Sequence, residues 1–315
     1  MILDIPDTTV SQVARSLVKV REEGGAVALG RVLTLVIASS HGLEEDAIDA
    51  ANAASREHPM RVIVLISEPD GEPRLDAQIR VGGDAGASEV IVLRAHGDAA
   101  SNPDSLITGL LLPDAPVVAW WPDHPPAVPA ESGIGRIAQR RITDASSKPY
   151  NSDRLSALAR TYAPGDTDLA WTRLTHWREQ LAAVLDQPPY EPVTDVEVVG
   201  AGSSPSTALL AAWLRLKLEV PVTWRYADPD EWDHGIRSVR LTRASGDIVL
   251  ERSNDIDAKL AQPQQPEHEI VLPRRTLREC LAEELRRLDP DVLYGRVITR
   301  GWELLGPAVT RESHG

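Results

Sequence analysis

Residues 31–66 read RVLTLVIASSHGLEEDAIDAANAASREHPMRVIVLI. Both ends, 31–38 and 60–66, are apolar runs rich in Val, Ile and Leu and too short for a core helix. Continuous apolar runs of that length are what strands covered on both faces of a parallel sheet require. Between them Leu43, Ala47, Ile48, Ala51 and Ala54 share one face at helical spacing. Strand, helix and strand make a βαβ unit with a right-handed crossover, and this sets the fold class as α/β. Working outward, 89–93 (EVIVL) and 116–121 (PVVAWW) predict further buried strands. Residues 74–81 alternate strictly, with Leu75, Ala77, Ile79 and Val81 against Arg74, Asp76, Gln78 and Arg80, and predict a half-exposed strand turning at Gly82-Gly83. Towards the start, Val10, Val13, Ala14, Leu17 and Val20 predict a helix behind the cap signal Asp7-Thr8-Thr9.

After Trp121 four prolines fall within eight residues, so 122–135 is expected to be a loop. A long helix is expected over 166–185, its seam formed by Ala170, Leu174, Trp177, Leu181, Val184 and Leu185 and its first turn capped by Asp166 or Thr167. Pro188, Pro189 and Pro192 end it. The expected organisation is therefore two mixed α/β domains with a C-terminal helical segment: 1–187, closing on the long helix, and 188–315, ending in helices. In the second, strands are expected at 193–199 and 222–227 around a helix at 205–218. A hairpin at 236–242 and 248–252 turns at Ser245-Gly246, a strand follows at 269–272, and helices at 277–288 and 292–305. The length of 315 residues suits two domains.

Lys and Arg total 33 against 47 Asp and Glu, a net charge of −14. So acidic a surface repels nucleic-acid phosphates and anionic membranes, and neither is an expected partner. One cysteine, Cys280, excludes an intrachain disulfide. It shares a helical face with Leu277, Leu281, Leu285 and Leu288, and a buried thiol in that company is inert. Without a signal-like start or an apolar run of about 18 residues, the expected location is cytoplasmic. The eight histidines are scattered without metal-ligand spacing, no Gly-x-Ser-x-Gly elbow occurs, and the pairs Asp123-His124 and Asp233-His234 adjoin Pro or Gly as loop residues do. No catalytic residue, metal or cofactor is expected.

Two stretches are candidates for binding. Trp120 and Trp121 end a strand, where successive side chains point to opposite faces, so one indole is expected to be available as an anchor. The partner-binding candidates are thus Trp120, Trp121, Pro122 and Asp123, with Asp166 and Asp168 as an acidic rim and Trp171 lying off the helix seam. The second stretch is Val199-Gly200-Ala201-Gly202-Ser203-Ser204-Pro205-Ser206-Thr207. A strand ending in small residues and opening a helix aims backbone N–H groups at one point, and Gly200, Gly202, Ser203, Ser204, Ser206 and Thr207 are the phosphate-binding candidates. Pro205 replaces the third glycine of a dinucleotide fingerprint and no P-loop lysine is present, although Asp228 stands about where a ribose-binding acid would. The alternative is a tight turn with a serine cap and Pro205 at the first helical position. Both readings stay open.

The blocks AVALGRVLTLVIA (26–38), EHPMRVIVLI (57–66), RLDAQIRVGGDAGASEVIVLR (74–94), DAPVVAWWPD (114–123), RRITDA (140–145) and GDTDLAWTRLTHWREQL (165–181) resemble the glucose-6-phosphate dehydrogenase assembly protein family OpcA in its actinobacterial form. The resemblance implies a non-catalytic partner and allosteric activator that binds glucose-6-phosphate dehydrogenase and promotes its active oligomer, at the entrance to the oxidative pentose phosphate pathway. It brings no catalytic motif. Thiol-based redox control is associated with cyanobacterial members, and a chain with Cys280 alone cannot form an internal disulfide switch. The rival expectation is a sugar-phosphate or nucleotide-binding α/β enzyme using the loop at 200–207. The oligomeric state of the chain and its contact face stay open.

Overall fold

The computed structural model describes residues 1–23, 32–82, 89–147 and 153–308. Arg31 of the first expected strand and Gly83 of the expected turn lie outside them. The chain forms two compact α/β units. One comprises Met1–Asp144, Ala163–Thr167 and Leu277–Asp291; the other comprises Ala145–Tyr162, Asp168–Thr276 and Val292–Gly315.

The first unit is built on a sheet of eight strands: β1 (Ile2–Ile5), β2 (Leu33–Ser39), β3 (Met60–Glu68), β4 (Arg74–Val81), β5 (Glu89–His96), β6 (Val117–Trp121), β7 (Arg140–Thr143) and β8 (Asp166–Asp168). Their order is β1-β4-β5-β3-β2-β6-β7-β8. Strands β5, β3, β2, β6 and β7 run parallel, while β4 is antiparallel to both β5 and β1. The βαβ unit forms as the sequence dictates, with helix Glu44–Ala54 between β2 and β3, paired from Leu33↔Met60 to Ser39↔Ile66. On one face Val13 and Leu17 of helix Val10–Glu23, Ile107 of helix Pro103–Thr108 and Ile134 of helix Gly133–Ile137 pack with Val36, Ile63, Ile91 and Trp121. Helix Glu44–Ala54 packs against helix Leu277–Arg286. Three ion pairs tie distant parts of this unit together: Arg140 with Glu284, both buried, Arg61 with Glu89 at 2.6 Å, also buried, and Arg286 with Glu57 at 2.8 Å.

The second unit has six strands: β9 (Asp195–Gly200), β10 (Val222–Tyr226), β11 (Ile236–Arg243), β12 (Gly246–Arg252), β13 (Asp257–Ala261) and β14 (His268–Val271), in the order β10-β9-β11-β12-β13-β14. Only β9 and β10 are parallel, joined by helix Pro205–Leu218. The hairpin turns where expected, closing on Arg243↔Gly246. Helix Pro205–Leu218 is buried almost all round, and its Leu209, Leu210 and Leu214 share a core with Val196, Val198, Val239, Leu250, Trp177 and Tyr294. Val222, Arg225, Arg237 and Arg240 are less covered, and Arg225 pairs with Glu197 at 2.8 Å and Arg240 with Asp247 at 2.8 Å.

Three expectations need correction. The break between units falls at Asp144–Ala145 rather than after residue 187, because the seam Trp177, Leu181 and Val184 packs into the core of the second unit. The prolines mark a change of direction there, and helix Leu277–Arg286, expected in the C-terminal domain, belongs to the first unit. Nor is 166–185 one helix. Asp166–Asp168 is a strand, followed by helices Leu169–Thr172 and Thr175–Leu185, and the cap is Asp168, whose carboxylate accepts from the N–H of Ala170 at 2.8 Å.

Candidate functional site

Two hollows are built by the residues the sequence singles out, one in each unit. The first lies at the carboxyl ends of β3, β2 and β6. Because the chain passes from β2 to β3 on one side and β6 lies on the other, this is the switch point of the parallel sheet, where α/β folds commonly hold ligands. The hollow encloses about 370 Å³ and is lined by Ser39, Ser40 and His41 after β2, by Leu65 and Ser67 of β3, and by Trp121, Asp123 and His124 at the end of β6, with Ile134 across from them. Asp123 accepts from the N–H of Ser40 at 2.9 Å. Burial pushes the Asp123 carboxyl up, but hydrogen bonds from Ser40 and His124 outweigh it and hold the group below the usual carboxylate range. Ser40, His124 and Asp123 thus stand together as in a nucleophilic triad, yet Ser40 Oγ and the Asp123 carboxylate both meet Nδ1 of His124, each at 3.2 Å. A relay needs the hydroxyl on one ring nitrogen and the acid on the other. This trio holds a loop.

The partner-binding candidates are buried rather than presented. Trp120 is 0% exposed and Trp121 4%, because β6 is an interior strand with both faces covered. Pro122 is partly exposed and Asp123 is buried. Asp166 accepts from Arg141 Nε at 2.5 Å and from the N–H of Ala163 at 2.8 Å, which makes it a structural carboxylate and no rim. Asp168 holds the N–H groups of Ala145 and Ala170. Trp171 is buried, with the Arg178 guanidinium 3.9 Å from its ring centroid and the Tyr294 ring at 6.0 Å.

The second hollow, about 330 Å³, opens at the N-terminus of helix Pro205–Leu218. Ser203, Ser204 and Ser206 form one wall; Leu174, Trp177, Ile236 and Pro273 form an apolar one; Arg173, Arg252, Arg274 and Arg275 complete it with His234 and Ser146. Among the described residues no Asp or Glu lines it. Pro205 opens the helix as expected, but Ser204 makes no side-chain cap hydrogen bond, so its hydroxyl is not spent on the helix. Ser203 donates to the carbonyl of Asp233 at 3.0 Å and Ser206 to that of Ala170 at 2.8 Å. The other phosphate-binding candidates lie off this wall. Gly200 is where strand, helix and loop meet most closely, since a Cβ there would stand 2.2 Å from Thr207 Oγ1 and 2.9 Å from the carbonyl oxygen of Gly235. Thr207 is buried against it, and Gly202 is exposed beside the Tyr226 ring. Asp228 lines a different depression with Glu197, Arg225 and Arg237, and accepts from the N–H of Asp230 at 3.0 Å. The ribose-binding acid of a dinucleotide site is therefore missing from this hollow.

Sequence reasoning missed the four arginines, which arrive from three separate segments of the chain. Arg252 ends β12, 5% exposed, with its Nη1 donating to the carbonyls of Leu272 at 2.5 Å and Asp255 at 3.3 Å while Nε has no partner. It forms no ion pair among the described residues. Burial, with the positive charge of Arg274 beside it, pulls Arg252 down to about 10. Arg274 is paired at the rim with Asp255 at 2.5 Å and lies over the Trp232 ring at 5.2 Å. Arg275 donates to the carbonyl of Thr172 at 2.8 Å.

Fold and hollows define a two-unit α/β protein in which, among the described residues, no group of three or more His, Cys, Asp or Glu is placed to hold a metal ion and no helix is long and apolar enough to cross a membrane. Residues 51–161 match the family model described as the glucose-6-phosphate dehydrogenase subunit N-terminal domain, and residues 164–298 match that of the C-terminal domain. The chain belongs to this family, the OpcA-type glucose-6-phosphate dehydrogenase assembly proteins. It is 27% identical over 207 residues to the putative OxPP cycle protein OpcA of Synechocystis sp., a match covering 59% of this chain and 42% of that relative, less than half of its length. Among solved structures, glucose-6-phosphate 1-dehydrogenase from Mycobacterium avium aligns at a TM-score of 0.44 and 12% identity, covering 87% of this chain and 91% of that one. A glucose-6-phosphate dehydrogenase in complex with glucose 6-phosphate aligns at a TM-score of 0.38 and 10% identity, over 88% and 90%.

Proposed function

We propose that the chain is a non-catalytic assembly factor and activator of glucose-6-phosphate dehydrogenase in the oxidative pentose phosphate pathway. The observation that carries this reading is the order of the two family domains along one chain, at 51–161 and 164–298. The name of the cyanobacterial relative points to the same pathway. An absence of turnover is supported by the first hollow, where Ser40 and Asp123 compete for one nitrogen of His124, and by the second, whose lining among the described residues carries arginines and no carboxylate. Activation needs no chemistry from the chain. If it binds the active form of the enzyme better than the inactive one, mass action populates that form, and a tenfold shift requires about 1.4 kcal/mol of preference.

Mixing the purified chain with the dehydrogenase of the same cell and following size exclusion and NADPH formation tests this. Co-elution as a larger species with raised activity is expected, with no turnover of glucose 6-phosphate by the chain alone. Separate elution at about 10 μM of each protein with unchanged activity would overturn it. Turnover by the chain alone would establish the rival reading of a sugar-phosphate enzyme instead.

A further inference from the structure

We propose that the hollow of the second unit is a binding site for a sugar-sized phosphate monoester, its phosphate held between Ser204 at the helix N-terminus and Arg252, its body lying against the apolar side of the hollow. The argument starts from cost. A guanidinium taken out of water without a carboxylate is expensive by several kcal/mol, and proteins keep such groups when an anion completes them. Arg252 is buried, donates hydrogen bonds only to carbonyl oxygens, lies 5.5 Å from the centroid of the Trp177 ring, and faces the like charge of Arg274. In a chain of net charge −14, a cavity lined, among the described residues, by four arginines and no acid is a local reversal of sign that general composition does not produce. Across the hollow, the first turn of a 14-residue helix adds the positive end of its dipole and the hydroxyl of Ser204, which caps nothing.

Shape selects within the anions. A volume of about 330 Å³ lies at the small end of the ~300–1,000 Å³ of ligand pockets, enough for a phosphorylated sugar and cramped for a dinucleotide. The position of Asp228 outside the hollow argues the same way. Leu174, Trp177, Ile236 and Pro273 line an apolar side of the hollow suited to the carbon skeleton of a sugar, with the Arg252 guanidinium 5.5 Å from the Trp177 ring centroid. A phosphate among arginines gains charge-assisted, bidentate hydrogen bonds.

The test uses the whole chain alone, so it stands or falls separately from the assembly function. Isothermal calorimetry and melting curves would be run with inorganic phosphate, a hexose 6-phosphate, the unphosphorylated hexose and NADP, with sodium chloride at matched ionic strength as control. The hexose phosphate is expected to bind at least tenfold tighter than inorganic phosphate, and the free hexose and chloride are expected to leave the melting curve unmoved. Ser204→Asp, at a partly exposed loop position, should keep the wild-type melting temperature and weaken the hexose phosphate at least tenfold; Arg252→Gln should do the same to affinity even where it shifts melting. Absence of binding at 10 mM of either phosphate, an equal shift from chloride, hexose phosphate no tighter than inorganic phosphate, NADP tighter than the hexose phosphate, or unchanged affinity in a folded Ser204→Asp chain would each overturn the proposal.

Discussion

The two hollows have similar size and opposite character. The one at the ends of β2, β3 and β6 occupies the place where α/β topology favours a ligand, yet its polar groups are turned on one another: Asp123 on the Ser40 amide, Ser40 and Asp123 on the same nitrogen of His124. The one at the head of helix Pro205–Leu218 lies in a sheet that is mostly antiparallel, and the buried Arg252 beside it has no ion pair among the described residues and an Nε without a hydrogen-bond partner. Topology says where a crevice forms. Whether polar groups there are already satisfied says whether anything is needed to fill it.

The largest effect would come from strand β6, whose end lines the first hollow. Trp120→Ala removes a fully buried indole and is expected to cost about 3–5 kcal/mol, a fall of roughly 6–20 °C in melting temperature, whereas Ser204→Ala should stay within about 0.5 kcal/mol. A Trp120→Ala chain that melted like wild type but lost the dehydrogenase would restore the indole as a contact residue. A smaller effect concerns the Asp123 carboxylate. Its native value lies below the unfolded one, so it stabilises the fold above about pH 4 and that contribution is lost as pH falls through the native value. Denaturant melts should therefore show Asp123→Asn weaker than wild type at pH 7, with the gap closing in acid; a gap independent of pH would mean that the carboxylate is not the stabilising species. Smallest is the effect at Cys280, fully buried in helix Leu277–Arg286. A thiol reagent should react with it only in denaturant, and reductants should leave dehydrogenase activation unchanged. Fast labelling of the folded chain would reopen redox control.

What the sequence made legible follows from periodicity. Runs such as 60–66 bury both faces and admit one reading, and the strict alternation of 74–81 fixed β4 as surely. Missed elements were short or lacked pattern: β1 and β7 have four residues each, and Arg140 and Arg141 look like surface charges until their partners Glu284 and Asp166 are known. Loop 200–207 shows the same limit at the site. Its serines and its proline were visible, and so were two meanings for them. The arginines that decide between those meanings stand at residues 173, 252, 274 and 275, a convergence that no local window contains. The tryptophan pair failed for a related reason, since strand alternation says that 120 and 121 face opposite ways and is silent on what covers each face.

The return of residues 277–291 to the first unit governs when that unit can exist. Seven of the eight strands of its sheet and most of its helices are encoded before residue 145, but Glu284 for Arg140 and the helix that packs on Glu44–Ala54 come about 150 residues later. At a synthesis rate of about 5–20 residues per second, the nascent first unit waits roughly 7–30 s with that helix face and a lone arginine uncovered. A chain stopped at residue 276 would damage the half that had already been made, and the second half, encoded in between, has the earlier opportunity to fold.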